Sequence, residues 1–179
     1  SPTYLEQRGR PTHPDDLDTP LPVTAVQVDG WLGELLDGAA EQMLQPVDPP
    51  DSFAATLRPY QRRGLAWLAF LAELGLGACL ADDMGLGKTV QLLALESVLR
   101  DRGDEAGPTL LLCPMSLVGN WQREAAKFAP SLRIYAHHGR ERADGDALTT
   151  RLAESDLVLT TYQTAVRDIE QLEAHDWAR

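Results

Sequence analysis

Lysine is nearly missing from this chain: Lys88 and Lys127 stand against fourteen arginines in 179 residues. The bias hints at a GC-rich coding sequence and is silent on mechanism. Cysteine is scarce too. Cys79 and Cys113 are the only two, and both fall in apolar runs expected to form strands, where a buried thiol behaves as a small hydrophobe. Neither a disulfide framework nor a metal site is indicated. Long apolar runs are also lacking: no stretch approaches the roughly 18 unbroken apolar residues of a membrane span, and no charged-then-apolar leader opens the chain. The expectation is a soluble, intracellular protein that does not enter membranes.

Positive charge is in short supply as well, with a net charge of −11, which at first argues against a nucleic-acid partner. The distribution changes that argument. Up to Leu57, two arginines face ten acids, a balance of −8; from Arg58 onward fourteen basic residues face seventeen acids, a balance of −3. The acidity belongs mainly to an N-terminal appendage, and the remainder is neutral enough to permit a local basic groove without demanding one. With 44% hydrophobic and 24% charged residues, the chain suits one soluble core with an appendage.

Ser1 to Pro22 hold five of the twelve prolines and few large apolar residues, too little to offset ordering entropy, so an extended, partly disordered lead-in is expected. Its start at Ser1 resembles the cut edge of a longer protein. Val23 to Val28 alternates like a short strand. Asp29 suits a helix N-cap, and Trp31, Leu32, Leu35, Leu36, Ala39, Met43 and Leu44 form an apolar stripe before Pro46 stops it. That stripe serves packing or a partner. Pro46 to Asp51 reads as a linker, which sets domains at 1–52 for the appendage and 53–179 for the main body. Pro59 fits the first turn of a helix whose Leu65, Leu68, Leu71 and Leu74 share one face until Gly75.

Next comes Ala81-Asp82-Asp83-Met84-Gly85-Leu86-Gly87-Lys88-Thr89, between an apolar run, Gly77 to Leu80, expected as a buried strand, and Val90 to Arg100, expected as a helix. Strand, glycine turn ending in Gly-Lys-Thr, then helix is a phosphate-binding arrangement. Glycines let backbone N–H groups close on an anion, the helix N-terminus adds its positive dipole end, Lys88 adds a full charge, and the Thr89 hydroxyl suits magnesium. One position departs from the general pattern: Asp82 stands where a glycine is usual. A plain glycine turn with a solvated lysine is the bland alternative.

Thr109 to Cys113, Leu132 to Ala136 and Asp156 to Thr161 read as further strands, separated by a helix containing Trp121, Glu124 and Phe128 and by a short helix over Asp146 to Ala153. A last helix covers about Gln163 to Ala174. Strands alternating with helices imply a parallel α/β sheet with helices on both faces. Ser116 can serve as a helix N-cap. Adjacent His137 and His138 point to opposite sides of an extended chain, which disfavours a metal site, and Arg140 and Arg142 read as a solvated loop or a basic rim. Trp67 and Trp121 are assigned to packing.

Four segments occur in order: Leu57-Arg58-Pro59-Tyr60-Gln61; Asp82-Asp83-Met84-Gly85-Leu86-Gly87-Lys88-Thr89; Leu111-Leu112-Cys113-Pro114 with Asn120-Trp121 and Glu124; and Leu159-Thr160-Thr161-Tyr162. Together they resemble the first motor lobe of the SWI/SNF-type helicase-like ATPases of superfamily two, over Phe53 to the end. Loops of that family open with acids, which absorbs the anomaly at Asp82. The appendage more weakly resembles the region before the motor in bacterial members. The resemblance implies a RecA-like sheet, ATP and magnesium as cofactors, duplex DNA as partner, and a bacterial, cytoplasmic, nucleoid-associated setting.

Carried over residue by residue, it implies that Gln61 reads the adenine edge. Asp83, Met84, Gly85, Leu86, Gly87, Lys88 and Thr89 line the phosphates, with Lys88 and Thr89 catalytic and Thr89 on the magnesium. Ser116, Thr160 and Thr161 would contact DNA phosphates, with N-capping for Ser116 and edge-of-sheet packing for the threonines as the alternatives. The family's Asp-Glu pair and second-lobe arginines, which organise hydrolysis, have no counterpart between Ser1 and Arg179. The expectation is therefore an incomplete lobe that holds nucleotide without cleaving it, with an open sheet edge that favours self-association. A non-catalytic interaction module with a vestigial loop is the rival from another class, and an unrelated phosphate-loop kinase or GTPase is the enzymatic one.

Overall fold

A strand is stable only where a neighbour satisfies its N–H and C=O groups. Three runs of this chain find such neighbours in one another. In the computed structural model, which describes residues 44–103 and 107–179, Thr109–Leu112 (β1), Ile134–His137 (β2) and Leu157–Thr160 (β3) form a parallel sheet in the order β1-β3-β2. Val158 pairs with Leu110 on one side and Tyr135 on the other. The central strand is buried at all four positions, which explains why its sequence shows no polar alternation. The expected strand at Val23 to Val28 and the body of the helix after Asp29 lie outside the described residues.

Among the described residues six helices accompany the sheet: Pro59–Glu73 (α1), Lys88–Arg102 (α2), Met115–Phe128 (α3), Gly145–Ala153 (α4), Tyr162–Arg167 (α5) and Ile169–Glu173 (α6). All belong to one compact unit, Gln45–Arg179. Alternation along the strands sends side chains to two separate cores. Leu111, Leu157 and Leu159 join Leu65 of α1, Leu93 of α2 and Val118 of α3 in the larger one. Leu110, Tyr135 and Val158 meet Leu148 and Leu152 of α4 in the smaller. Helices thus cover both faces, as the βαβ pattern predicts. Leu65, Leu93, Leu157 and Leu159 are fully buried, and truncating any of them to alanine costs about 2–5 kcal/mol. Among the described residues, no helix is long and apolar enough to cross a membrane.

Three expectations are corrected. Gly77 to Leu80 does not form a strand: it has no regular structure, Gly77 to Cys79 are exposed, and the Cys79 thiol is free at the surface. The physical reason is the lack of a pairing edge. The side of β1 away from β3 is taken by the chain's last residues, with Ala178 N donating to Pro108 O at 3.0 Å and Leu110 N to Arg179 O at 2.8 Å. Those bonds advance in the same direction on both segments, so the tail lies parallel to β1. Second, the last helix is two. Asp168 interrupts it between α5 and α6 with φ −106° and ψ 20°, because its carboxylate is held by groups from β2 and the following loop, described below. Third, α3 begins one residue before Ser116. Pro114, with φ −56° and ψ 143°, is its N-cap, and Leu117 N donates to Pro114 O, so Ser116 lies inside the first turn and does not cap.

Candidate functional site

Proline at the first turn of α1 starts that helix where its missing N–H is harmless, and this fixes the direction of the next side chains. Gln61 Oε1 accepts from Arg58 N at 2.9 Å, closing the first turn. The other end of the same amide donates to Leu86 O at 3.0 Å, and Tyr60 OH donates to the same carbonyl at 3.2 Å. Gln61 is buried and staples α1 to the glycine loop. The two glycines of that loop are conformational requirements. Gly85 has φ +87° and Gly87 φ +81°, in the left-handed region that side chains resist. A Cβ on Gly85 would meet nothing within 4 Å, whereas one on Gly87 would lie 2.5 Å from Gln61 Nε2.

Gly87 is the N-cap of α2, so Lys88 and Thr89 form its first turn. Lys88 Nζ turns back into the loop, where it donates to the carbonyls of Asp82 and, at 3.0 Å, Asp83. The ammonium thus occupies the concave side of the loop beside a helix N-terminus, the place that attracts an anion. Met84 is almost wholly exposed at the loop tip (97%). Next to Gly87, a cavity of about 480 Å³ opens between α1, the start of α2 and α3, lined by Gln61, Gly87, Val90, Asn120, Glu124 and Lys127 among others. Asn120 Nδ2 donates to Glu124 Oε1 at 2.7 Å across its wall. Gln61 and the residues from Asp83 to Thr89 are therefore brought together, with a cavity on one flank. Phosphate and a divalent cation fit this donor set: an ammonium, left-handed glycines freeing backbone N–H groups, and a threonine hydroxyl in the same helical turn.

The second candidate group lies at the carboxyl ends of the strands. Ser116 is exposed on the first turn of α3. Thr160 is fully buried, its hydroxyl donating to His137 O at 2.8 Å. Thr161 caps α5: its Oγ1 accepts from Thr164 N at 3.2 Å and shares a hydrogen bond with Thr164 Oγ1 at 2.9 Å. Both threonine hydroxyls are engaged within the fold, so of the three residues only Ser116 presents its side chain freely to solvent.

Beside them is a polar network whose reach the sequence reading missed. His137 is buried, with Nε2 3.0 Å from Asp168 Oδ2 and Nδ1 3.3 Å from Tyr135 OH. Arg142 binds Asp168 through two nitrogens, Nη2 at 2.7 Å from Oδ1. Arg142 is thus no solvated loop residue; its side chain is 18% exposed. Tyr135 OH also accepts from Ala143 N at 3.1 Å. Desolvation pushes the His137 pKa below the usual histidine value, outweighing the upward pull of the Asp168 carboxylate, and the Arg142 charge adds a smaller push in the same direction. The Arg142 guanidinium, with His137 adding to it, holds Asp168 below the usual carboxylate range against the effect of burial. A neutral His137 with its proton on Nε2, donating to Asp168 and accepting from Tyr135, satisfies every partner. Among the described residues no group of three His, Cys, Asp or Glu is placed to hold a metal.

Two further buried polar residues escaped the sequence reading, Gln91 and Glu96, both inside the helix that follows the glycine loop. Glu96 accepts from Thr109 Oγ1 at 2.9 Å and from Arg179 Nη2 at 3.0 Å. Gln91 donates to Asp82 Oδ2 at 3.0 Å. The available signal was each polar residue's place in the helical repeat among leucines.

Comparison with known proteins places these features in a family. The family model described as "SNF2-related domain" matches residues 60–179. YwqA of Bacillus subtilis (strain 168), whose name describes an ATP-dependent helicase/translocase, is 45% identical over 139 residues, covering 78% of this chain and 15% of its own length. The human chromatin-remodeling ATPase INO80 is 35% identical over 141 residues, covering 74% of this chain and 9% of its own. Among solved structures, the Sulfolobus solfataricus SWI2/SNF2 ATPase core in complex with dsDNA is similar with a TM-score of 0.65 and 40% identity, over 75% of this chain and 27% of that one. The chain therefore spans a small part of the length of the relatives it matches. With two-thirds of its residues inside the family model, a parallel sheet flanked by helices, and a glycine loop stapled to the tyrosine-glutamine helix, the chain belongs to the SNF2-related, helicase-like ATPase family.

Proposed function

We propose that this chain is the nucleotide-holding part of a DNA-dependent ATPase that translocates along duplex DNA. The observation that carries the reading is the loop itself: two left-handed glycines, the Lys88 ammonium turned into their concavity at the head of α2, and Gln61 tying that loop to α1. Lys88 would exchange its bonds to the Asp82 and Asp83 carbonyls for phosphate oxygens, an exchange of neutral acceptors for charged ones that strengthens each bond. Backbone N–H groups from Gly85 to Thr89 would surround the same oxygens, the Thr89 hydroxyl would hold magnesium, and Gln61 would use its remaining N–H and lone pair on the base in the adjoining cavity. Bound magnesium supplies charge neutralisation between phosphates.

Support for the DNA part comes from the Sulfolobus ATPase core, whose structure contains duplex DNA. Ser116 is the residue of this chain we assign to a strand phosphate by its side chain; Thr161 would act through its backbone at the end of β3, with the buried Thr160 holding that strand end in place. The similarity to a Bacillus protein favours a bacterial, cytoplasmic setting. On this reading residues 1–179 bind nucleotide and do not turn it over, since none of the described strands is followed by an Asp-Glu pair.

Titration calorimetry with magnesium-ATP tests the site. Saturable binding by the wild type and its loss in Lys88→Ala is expected; equal binding by both would refute the assignment. An ATPase assay with and without duplex DNA tests the second claim, and DNA-stimulated turnover by residues 1–179 would overturn it.

A further inference from the structure

Two local rules of stable folding are broken at one point between α1 and α2. Gly64 lies in the middle of α1, where glycine costs about 0.5–1 kcal/mol relative to alanine. Gln91, on α2, is completely buried, and among the described residues its Oε1 has no hydrogen-bond partner. An unpaired buried carbonyl costs about 1–3 kcal/mol. The two faults are one arrangement: a Cβ on Gly64 would lie 1.9 Å from Gln91 Oε1, so the glycine makes the room that the glutamine occupies. A leucine or methionine at position 91 would fill apolar space without an orphaned atom. What Gln91 does provide is its other end, the Nε2 that donates to Asp82 Oδ2 at 3.0 Å.

That bond assigns a role to the acid standing in a glycine position. Asp82 gives its side chain to Gln91 and its backbone carbonyl to Lys88 Nζ. Its carboxylate is anchored to the buried face of α2 while the ammonium is anchored to its main chain. Gln61 holds the far end of the same loop, at Leu86 O. We infer that Gln91 is a positioning residue for the phosphate loop: through Asp82 it clamps the loop's entry against α2, as Gln61 clamps its exit, and Gly64 is kept to admit it. Local rules tend to be violated where function requires it, and here the loss in α1 and α2 is matched by order in the loop. The inference rests on the nucleotide reading for its purpose, although not for its geometry.

The test uses the full chain and the shape-preserving variant Gln91→Met, with Asp82→Asn and Gln91→Glu beside it. Methionine fills the pocket and removes both the donor and the orphaned carbonyl, so urea stability is expected to hold or rise. Amide hydrogen exchange at Asp83 to Gly87 in the nucleotide-free chain is expected to accelerate about tenfold, with exchange along Leu93 to Leu99 unchanged, and magnesium-ATP affinity to weaken about tenfold. Asp82→Asn keeps an acceptor for Nε2 and is expected to loosen the loop far less than Gln91→Met; Gln91→Glu sets two carboxylates face to face and is expected to loosen the loop at least as much as Gln91→Met. Unchanged loop exchange in both Gln91 variants would overturn the inference. Accelerated exchange in a chain whose wild type binds no nucleotide would instead overturn the nucleotide reading and leave the clamp standing.

Discussion

Two polar clusters of this fold are built on opposite terms. At the carboxyl end of β2, Tyr135, His137, Arg142 and Asp168 satisfy one another in a buried chain, and the threonine hydroxyls nearby are spent on His137 O and the α5 cap. At the glycine loop, Met84 stands in solvent, Lys88 is held by neutral carbonyls, and Gln91 carries an unpaired oxygen. The first cluster has its partners within the chain; the second has capacity left over. A saturated network fixes geometry and gains little from a ligand. An unsaturated loop on a rigid support changes its partners at small cost, and that is the property a binding site needs.

The most direct way to break this comparison is to remove one member from each side. Asp168→Ala strands the buried His137 and Arg142 and is expected to lower urea stability by about 3–5 kcal/mol. Asp82→Ala leaves one neutral buried donor, Gln91 Nε2, without its acceptor and is expected to cost less, about 1–3 kcal/mol. Equal losses would show that the two clusters are not built differently.

The second prediction uses acid. The His137 pKa lies below its ordinary 6.5, so its contribution to stability is complete above about pH 6.5 and is lost as the pH falls through the lower folded value. The Asp168 pKa lies below its ordinary 3.8, so its contribution is present above that value and is lost as the pH falls through the folded one. Both act in the same direction, giving acid destabilisation in two stages. Urea midpoints measured from pH 8 to about pH 2 check this, and His137→Asn is expected to lack the upper stage.

The loop's glycines sharpen the other side. Gly87→Ala combines a left-handed backbone with a clash on the buried Gln61 amide and is expected to cost about 2 kcal/mol, measured by thermal unfolding, and to abolish nucleotide binding. Gly85→Ala meets no neighbour and carries only the backbone cost of about 1 kcal/mol. A larger loss at Gly85 than at Gly87 would contradict the staple between Gln61 and Leu86.

Sequence patterns disclosed these regions unequally, for physical reasons. The phosphate loop was legible because its requirements are local: glycine for positive φ, lysine for charge, and a helix immediately after. β1, β3, α1 and α3 were legible within one to three residues from apolar periodicity and proline placement. Gly77 to Leu80 was misread because composition registers apolarity and not whether an edge is available to pair with. The break at Asp168 was missed for a related reason. The residues that hold it, His137 and Arg142, are 31 and 26 positions away, and no helical periodicity records such a contact. Gln91 and Gly64 are also remote in sequence, and each was absorbed into a helix that it fits poorly alone.

The smallest effect is expected at Tyr135. Its hydroxyl donates to His137 Nδ1 and accepts from Ala143 N, so Tyr135→Phe deletes two bonds without changing the packing of the ring against the smaller core. Ala143 is half-buried and can turn to water, whereas His137 Nδ1 cannot, so the net loss in urea is expected near 1 kcal/mol. The more telling readout is the acid profile. With the tyrosine donor gone, Nδ1 is open to a proton, and the upper stage of acid destabilisation is expected to shrink as the His137 pKa returns toward its ordinary value. A Tyr135→Phe variant with an unchanged acid profile would mean that burial alone keeps His137 neutral, and that this side of the molecule is saturated by three residues instead of four.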